Sequence, residues 1–369
     1  MRFIVCGDAL FSSRNLAKRL DKTLVERLQN ADGGFANAEF CTPEPTTPPA
    51  CGRGCMTSMR PATLSEFADL NLKMVGFVNN HTGDYGPQGV LDTMNAAEAH
   101  DLIACGVGRS LRESMDEGCR VETYPPQGSD AFRFGSLFEG CLNIERGEKA
   151  HVRTFVNQKD ADEVLKSVVD ASKRSDLTIF SLHTHEGVNE NWYSSQSPEF
   201  IERIAHDAID AGADVVVGHG AHFLRGVEIY HGKPIFYNLG SLLMEFEVGE
   251  SIIAPEMYEA YGYGADSRPS DLHSNRAKDK NGSFIGFNAE RRFSENCLLQ
   301  IDRNEDGSVT YGLIPIDLTM ENERALERGL PKIASIEVAE QIAEHMTAYS
   351  ALYGTKLTYD KESGLICIA

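Results

Sequence analysis

The stretch ADVVVGHGAHFLRG, Ala213 to Gly226, runs from an apolar strand into two histidines three residues apart. Three consecutive valines favour a pleated strand buried on both faces, and Gly218 and Gly220 let the backbone turn tightly where it ends. His219 and His222 are therefore expected on a turn at a carboxyl strand end, where imidazole is a common metal ligand. The same kind of position recurs along the chain. RFIVCGD closes on Asp8, GGFANAEF on Glu39, KMVGFVNN on Asn80 with His81 following, and LTIFSLHTH on His183 and His185. Singly these are a turn former, a solvated charge, a cap and a strand histidine. Together they bring oxygen and imidazole donors to one end of five strands, and binding crevices of open α/β sheets form at that end. The pattern predicts a metal centre. Since side chains i and i+2 of a strand share a face, His183 and His185 should both look into the crevice while Thr184 looks away. One can then ligate while the other works on substrate.

The elements that must position these donors alternate between strand and helix. After the first strand comes the helix RNLAKRLDKTLVERLQ, then GGFANAEF, a long loop, the helix TLSEFADL, the strand KMVGFVNN and the helix PQGVLDTMNAAEAHD. The strand LIACGVG, a less regular stretch from about Arg112 to Val156, the helix ADEVLKSVVDASKR and the strand LTIFSLHTH follow. PEFIERIAHDAIDAG, the valine strand and KPIFYNLGSLL complete the series. That order implies an α/β fold, a largely parallel or mixed sheet flanked by helices. A polar, glycine-rich segment at about 245–293 reads as an insertion or lid, and CLLQIDRNEDGSVTYGLIPID reads as a hairpin turning at Glu305–Ser308. A helix and a short C-terminal strand end the chain. A single domain is expected over 1–369, with the hairpin and helix occupying about 295–369.

Composition narrows the partners. With 369 residues, 41% of them hydrophobic, the chain can bury a full core, and a net charge of −20 argues against a nucleic-acid or anionic-membrane surface. The start MRFIVCGDALF has no apolar signal region and no apolar run is long enough to cross a bilayer, so a cytoplasmic protein is expected. Nine scattered cysteines fit reduced thiols. Cys41, Cys51 and Cys55 cluster in CTPEPTTPPACGRGC, but the spacing matches no zinc finger or ribbon and offers no fourth ligand, so a proline-rich surface loop is expected there. There is no His-Glu-x-x-His helix and no Walker A loop, and GVGRS lacks the lysine of a P-loop.

With these motifs assembled, the chain resembles the poly-γ-glutamate capsule-biosynthesis (CapA-like) proteins, a branch of the calcineurin-like metallophosphoesterases. CGDALF, NAEF, VNNHTGDYGPQGVLDTMNAAEAHDLIACGVGRSL, FSLHTHEGVN and AGADVVVGHGAHFLRGVEIYHGKPIFYNLGSL carry the resemblance from Met1 to about Leu243, and YSALYGTKL resembles the family's C-terminal segment. It implies a four-layer αββα sandwich holding two divalent metal ions, with Mn, Zn or Fe suited to mixed nitrogen and oxygen ligands. On that resemblance Asp8 and His222 would hold one ion, Asn80, His183 and His219 the other, and Glu39 would bridge them. His81 matches the catalytic histidine and Asp84 would orient it. The chain also departs from the family pattern. HTHEGVN stands where His-Trp-Gly-x-Glu-Tyr is usual, Arg225 where Gln is usual, and Ser241 where Asn is common. The membrane anchor of capsule-synthesis members is missing, which counts against a role at the cell surface.

Two such ions would acidify a bridging water to hydroxide and clamp the oxyanion formed by its attack. A hydrolase of a phosphoester, or of an amide in a γ-glutamyl or peptide-like substrate, is the leading expectation, with His81, Asp84 and His185 as catalytic groups. Arg53, Arg60 and Arg225 lie near the motifs in sequence and would suit the phosphate or carboxylate of an anionic small-molecule or peptide-like substrate. A metal-dependent epimerase of a peptide residue, with His185 and Glu186 or Asp84 as opposed bases, is the second expectation. A non-catalytic binding module is the third.

Overall fold

Residues Val215 to Val217 alternate between two cores. In the computed structural model Val215 and Val217 pack with Val5, Cys297, Leu299 and Ile301, whereas Val216 turns the other way onto Val164, Val168, Ile201, Ile204 and Ala208. The same period of two runs through the first strand, where Val5 shares the inner core and Ile4 and Cys6 join Leu24 and Leu28 outside it. Both faces of both strands are thus buried, which is why they read as unbroken apolar runs. The structure describes residues 1–50, 56–108, 158–245 and 277–368, with shorter pieces at 142–143, 151–152, 258–259, 262–264, 266–268 and 271–272.

The strands are β1 (Arg2–Leu10), β2 (Gly33–Ala38), β3 (Met74–Gly76), β4 (Ile103–Cys105), β5 (Leu142–Asn143), β6 (His151–Val152), β7 (Ile179–Thr184) and β8 (Val215–Gly220). After them come β9 (Val227–Tyr230), β10 (Lys233–Phe236), β11 (Ser241–Met244), β12 (Glu295–Arg303), β13 (Val309–Asp317), β14 (Lys332–Ile333), β15 (Leu357–Asp360) and β16 (Leu365–Ile368). One sheet has the order β15-β16-β13-β12-β1-β2-β3-β4, with β11 beside β1 and β14 beside β13; the other has the order β7-β8-β10-β9, and β5 pairs with β6. The helices Lys22–Gln29 and Gly86–Ala99 bury Leu24, Leu28, Ala96 and Ala97 against the outer face of the large sheet. Gln158–Ser172 and Glu199–Asp210 cover the outer face of the small one. Helix, sheet, sheet and helix make four layers with three cores between them, the sandwich that the resemblance implied.

Three local expectations change. The helix expected from Arg14 to Gln29 is two, Leu16–Arg19 and Lys22–Gln29, because the Asp21 carboxylate accepts the Leu24 N–H and starts a new helix. The third strand stops at Gly76, short of Asn80; the Thr82 hydroxyl bonds the Phe77 carbonyl and receives the Asn79 N–H, folding residues 79–85 into turns. The chain ends in a strand pair, β15 and β16, rather than in one strand. Parts of the expected insertion, 246–257 and 273–276 among them, lie outside the described residues. Its first residue, Glu245, is buried and takes the N–H groups of Ser12 and Ser13 at 3.3 and 3.0 Å, so the segment departs from the end of β1.

Central to the large sheet, β1 changes partners halfway. Arg2–Val5 runs antiparallel to β12, then Asp8–Leu10 runs parallel to β11, and the register against β2 shifts between Val5 and Asp8. An irregularity of this kind bends a strand and re-aims a side chain, here Asp8. Close backbone crossings hold the geometry. A Cβ on Gly7 would lie 2.0 Å from the Gly240 carbonyl oxygen, and one on Gly218 would lie 2.0 Å from that of Tyr237. Neither oxygen belongs to a side chain that can swing away. Gly218→Ala is therefore expected to lower stability in urea unfolding by about 2 kcal/mol or more, the scale of overpacking a rigid core. A loss within error would show that β8 can part from residues 237–239.

Candidate metal centre

Register brings the donors together. His183 and His219 are paired neighbours on the parallel strands β7 and β8, and Asp8 comes up against them from the irregularity in β1. Glu39, one residue past β2, still donates its N–H to the Ala9 carbonyl at 3.2 Å and so keeps step with β1. At the end of β8, Gly220 has φ +112° and gives its N–H to Asp8 Oδ2 at 2.7 Å. His222 follows at φ +62°, left-handed backbone that a non-glycine residue adopts at a cost and that recurs at functional sites.

The distances define the site. Asp8 Oδ1 lies 3.3 Å from His183 Nδ1 and 3.0 Å from His219 Nδ1, and Asp8 Oδ2 lies 3.4 Å from His222 Nδ1. Facing it, Glu39 Oε2 is 3.5 Å from His222 Nε2, and Glu39 Oε1 is 3.9, 3.8 and 4.0 Å from Nε2 of His183, His185 and His81. Asn80 Oδ1 sits 2.9 Å from His183 Nε2. Three overlapping groups, Asp8–His183–His219, Glu39–His183–His185 and Asp8–Glu39–His222, each keep their donor atoms within 4.8 Å of one another.

Burial and charge act against each other here. Enclosure holds His183 and His185 down to about 4, so both imidazoles are neutral and carry a free lone pair at neutral pH. Burial, with the like charge of Asp8, pushes Glu39 up to about 7. Burial also works against the charge of Asp8, yet His183 and His219 hold its carboxyl well below the usual range. His222 goes up to about 9 because Glu39 first, and Asp8 with it, outweigh the cost of burying its charge.

Two observations test whether these residues suit a cation. Glu39 Oε2 is buried without a hydrogen-bond partner, and the Nδ1 atoms of His183 and His219 face one another at 2.9 Å beside a carboxylate oxygen. A mixed oxygen and imidazole set with converging lone pairs fits a divalent transition-metal ion.

Further residues orient the donors, as second partners of metal ligands commonly do. Ser181 Oγ lies 2.8 Å from His219 Nε2 and Ser241 Oγ 3.1 Å from His222 Nδ1. Asn37 donates to Asp8 Oδ1 at 2.8 Å and accepts from Asn79 at 3.2 Å, while Asn79 Oδ1 accepts the His81 N–H at 3.0 Å. Asn37, Asn79 and Ser181 were missed in the sequence, although Asn37 stands two residues before Glu39 and Ser181 two before His183. His81 directs Nδ1 to Asp84 at 2.8 Å, and Asp84 also accepts the Thr57 N–H at 2.6 Å.

The arginines fall elsewhere. Arg225, expected near substrate, is completely buried, and its Nη2 donates to the carbonyls of His185 and Trp192 at 3.2 and 3.3 Å, so it points at backbone rather than into the crevice. Arg60 is exposed at the start of the turn Pro61–Leu64, and Arg53, Cys51 and Cys55 lie outside the described residues. Among the described residues no helix is long and apolar enough to cross a membrane.

Comparison with known proteins agrees with this layout. The family model described as bacterial capsule synthesis protein PGA_cap matches residues 3–245. Uncharacterized protein y4sH of Sinorhizobium fredii is 26% identical over 412 residues, covering 93% of this chain and 87% of that protein. A probable polyglutamine synthesis accessory protein of Mycobacterium tuberculosis is 29% identical over 245 residues, covering 65% of this chain and 60% of its own. The PGA biosynthesis protein CapA of Bacillus subtilis is 28% identical over 179 residues, covering 48% and 44%.

A cation entering this site competes with the proton on His222 and, below about pH 7, with one on Glu39. Both groups are raised, so their protonated forms persist to higher pH and binding strengthens as pH rises. The apparent affinity for Mn²⁺ is expected to climb between pH 6 and 9 by up to about tenfold per pH unit for each proton displaced. Isothermal titration in buffers of different ionisation enthalpy measures both affinity and proton release. A flat profile without proton release would contradict the charge assignment.

Proposed function

The chain belongs to the bacterial capsule synthesis protein PGA_cap family, and from that premise we propose that it is a hydrolase dependent on two divalent metal ions. Its substrate in this reading is an anionic small molecule or peptide-like chain, cleaved at a phosphoester or at an amide of the γ-glutamyl kind. Asp8 and His222 would hold one ion, Asn80, His183 and His219 the other, with Glu39 between them. Bound there, divalent ions supply Lewis acidity toward a water and toward the oxyanion that develops on the substrate.

The observation that carries the proposal is the His81–Asp84 pair. A site that only stores metal has no need of a proton carrier, yet His81 Nε2 stands 4.0 Å from Glu39 Oε1 with its other nitrogen held by Asp84. Asp84 accepts the Nδ1–H, which leaves Nε2 as the atom that gives a proton to the leaving group or takes one from water. Thr57 Oγ1, 3.3 Å from Nε2, steadies the ring. The names of two relatives, one of PGA biosynthesis and one of polyglutamine synthesis, support a glutamyl amide as the bond to try first.

A second reading has its own observation. His185 Nε2 and His81 Nε2 both approach Glu39 Oε1, at 3.8 and 4.0 Å, so two imidazoles are available to move a proton on and off one carbon. That arrangement would suit epimerisation of a peptide residue next to a metal-held carboxylate.

Assay of the metal-loaded protein on aryl phosphoesters, γ-glutamyl peptides and proton exchange in D₂O separates the two. For hydrolysis, His81→Ala is expected to keep its metal and lose roughly 10²–10⁴-fold in turnover, the scale of a general acid-base group. Glu39→Ala should lose metal and activity together, since it removes the carboxylate between the ions. Full activity in His81→Ala would remove the proton-transfer role, and solvent deuterium at an unhydrolysed α-carbon would favour the epimerase.

A further inference from the structure

Among the described residues Arg225 is the largest side chain that is buried completely, and no carboxylate lies within ion-pair distance of it. Among the same residues its Nε and Nη1 have no hydrogen-bond partner, and only Nη2 is used, on the carbonyls of His185 and Trp192. Those two carbonyls mark the two ends of one loop. Between them the chain is tightly wound: Asn189 has φ +59°, the Asn191 N–H reaches the Val188 carbonyl at 3.2 Å, and a Cβ on Gly187 would lie 2.1 Å from the Asn191 carbonyl oxygen. A second arginine takes the next carbonyl, with Arg292 Nη1 donating to Tyr193 at 3.0 Å. The Phe223 ring lies between the two guanidinium groups, 5.7 Å from Arg225 and 5.5 Å from Arg292.

We infer that Arg225 is a positioning residue that closes the His185–Trp192 loop from beneath, fixing His185 toward Glu39 and Trp192 in an aromatic wall beside His222. The wall is continuous: Trp192 lies 4.2 Å from Tyr193 with the rings tilted and meets Phe287 at 5.8 Å, and Phe287 meets His222 edge-on at 5.8 Å. A guanidinium suits this task because a fixed planar fork can serve two backbone acceptors from inside the fold. The one observable is built in, since Trp192 is the only tryptophan in the chain.

The inference rests on the metal reading for one of its two readouts, so the experiment separates them. Full-length wild type, Arg225→Ala and Arg225→Lys are titrated with Mn²⁺, with binding counted by electron paramagnetic resonance and Trp192 emission recorded in parallel. Amide hydrogen exchange of residues 185–196 is followed without metal. In Arg225→Ala the emission should shift to the red, more than half of the Mn²⁺-dependent quenching should be lost, and exchange in the loop should quicken at least about tenfold as local opening is no longer opposed. Arg225→Lys should recover part of each. If Arg225→Ala fails to fold, Gly187→Ala, which forces the same loop apart from the other side, should give the same signature. Unchanged emission, quenching and exchange in a folded Arg225→Ala would overturn the inference. Wild type that takes up no Mn²⁺ would instead overturn the metal reading, leaving the loop to be judged by the emission shift and by exchange.

Discussion

Two carboxylates, Asp8 and Glu39, are buried face to face with no lysine or arginine within ion-pair distance among the described residues, only imidazoles. An interior cannot keep such charges bare, since stripping water from a carboxylate costs several kcal/mol unless a positive group or hydrogen-bond donors replace it. That requirement shapes the surrounding backbone. Gly220 donates to Asp8, His222 takes up a left-handed conformation to stand between the two acids, and Asn37 fills the remaining side of Asp8. The close backbone approaches at Gly7 and Gly218 are the geometric counterpart, because both are to residues 237–240, the segment that carries the chain from β10 in one sheet to β11 in the other.

Much of this arrangement was legible in the sequence, for a definite reason. Strand parity is a strict rule, so His183 and His185 both approach Glu39 and the valines before His219 split between two cores as expected. Helices flanking a parallel or mixed sheet also followed from alternating elements, because a parallel strand needs a crossover helix, whereas the four-layer order came with the family resemblance. What was hidden depends on contacts between distant segments. The shortened third strand follows from the Thr82 hydroxyl competing for backbone groups, which apolar content does not reveal. The Asn37–Asn79–His81 chain of hydrogen bonds joins two loops that meet only in the fold. Arg225 misled for the same reason: proximity to a motif in sequence says nothing about which side of the backbone a long side chain takes.

The centre is asymmetric in its chemistry. On the Asp8 side every donor is enclosed and oriented by hydroxyls and amides, through Ser181, Ser241 and Asn37. On the Glu39 side stand the groups with a proton to move, His81 with Asp84 and His185 with the loop behind it. In the proposed reading one half would hold and the other would work, and Glu39 is the residue common to both.

The divided partnership of β1 reaches back to how the chain is made. Strand β1 sits in the middle of the ten-stranded sheet, and its neighbours β11 and β12 begin only at Ser241 and Glu295, far along the chain. At about 5–20 residues per second, translation leaves that apolar strand waiting roughly 15–60 s for β12. Asp8 likewise has no His222 to face until more than half of the protein has been made. The donors of the candidate centre thus come together only in the finished fold, and a cation bound there would be selected by a preformed set of ligands rather than by a growing polypeptide.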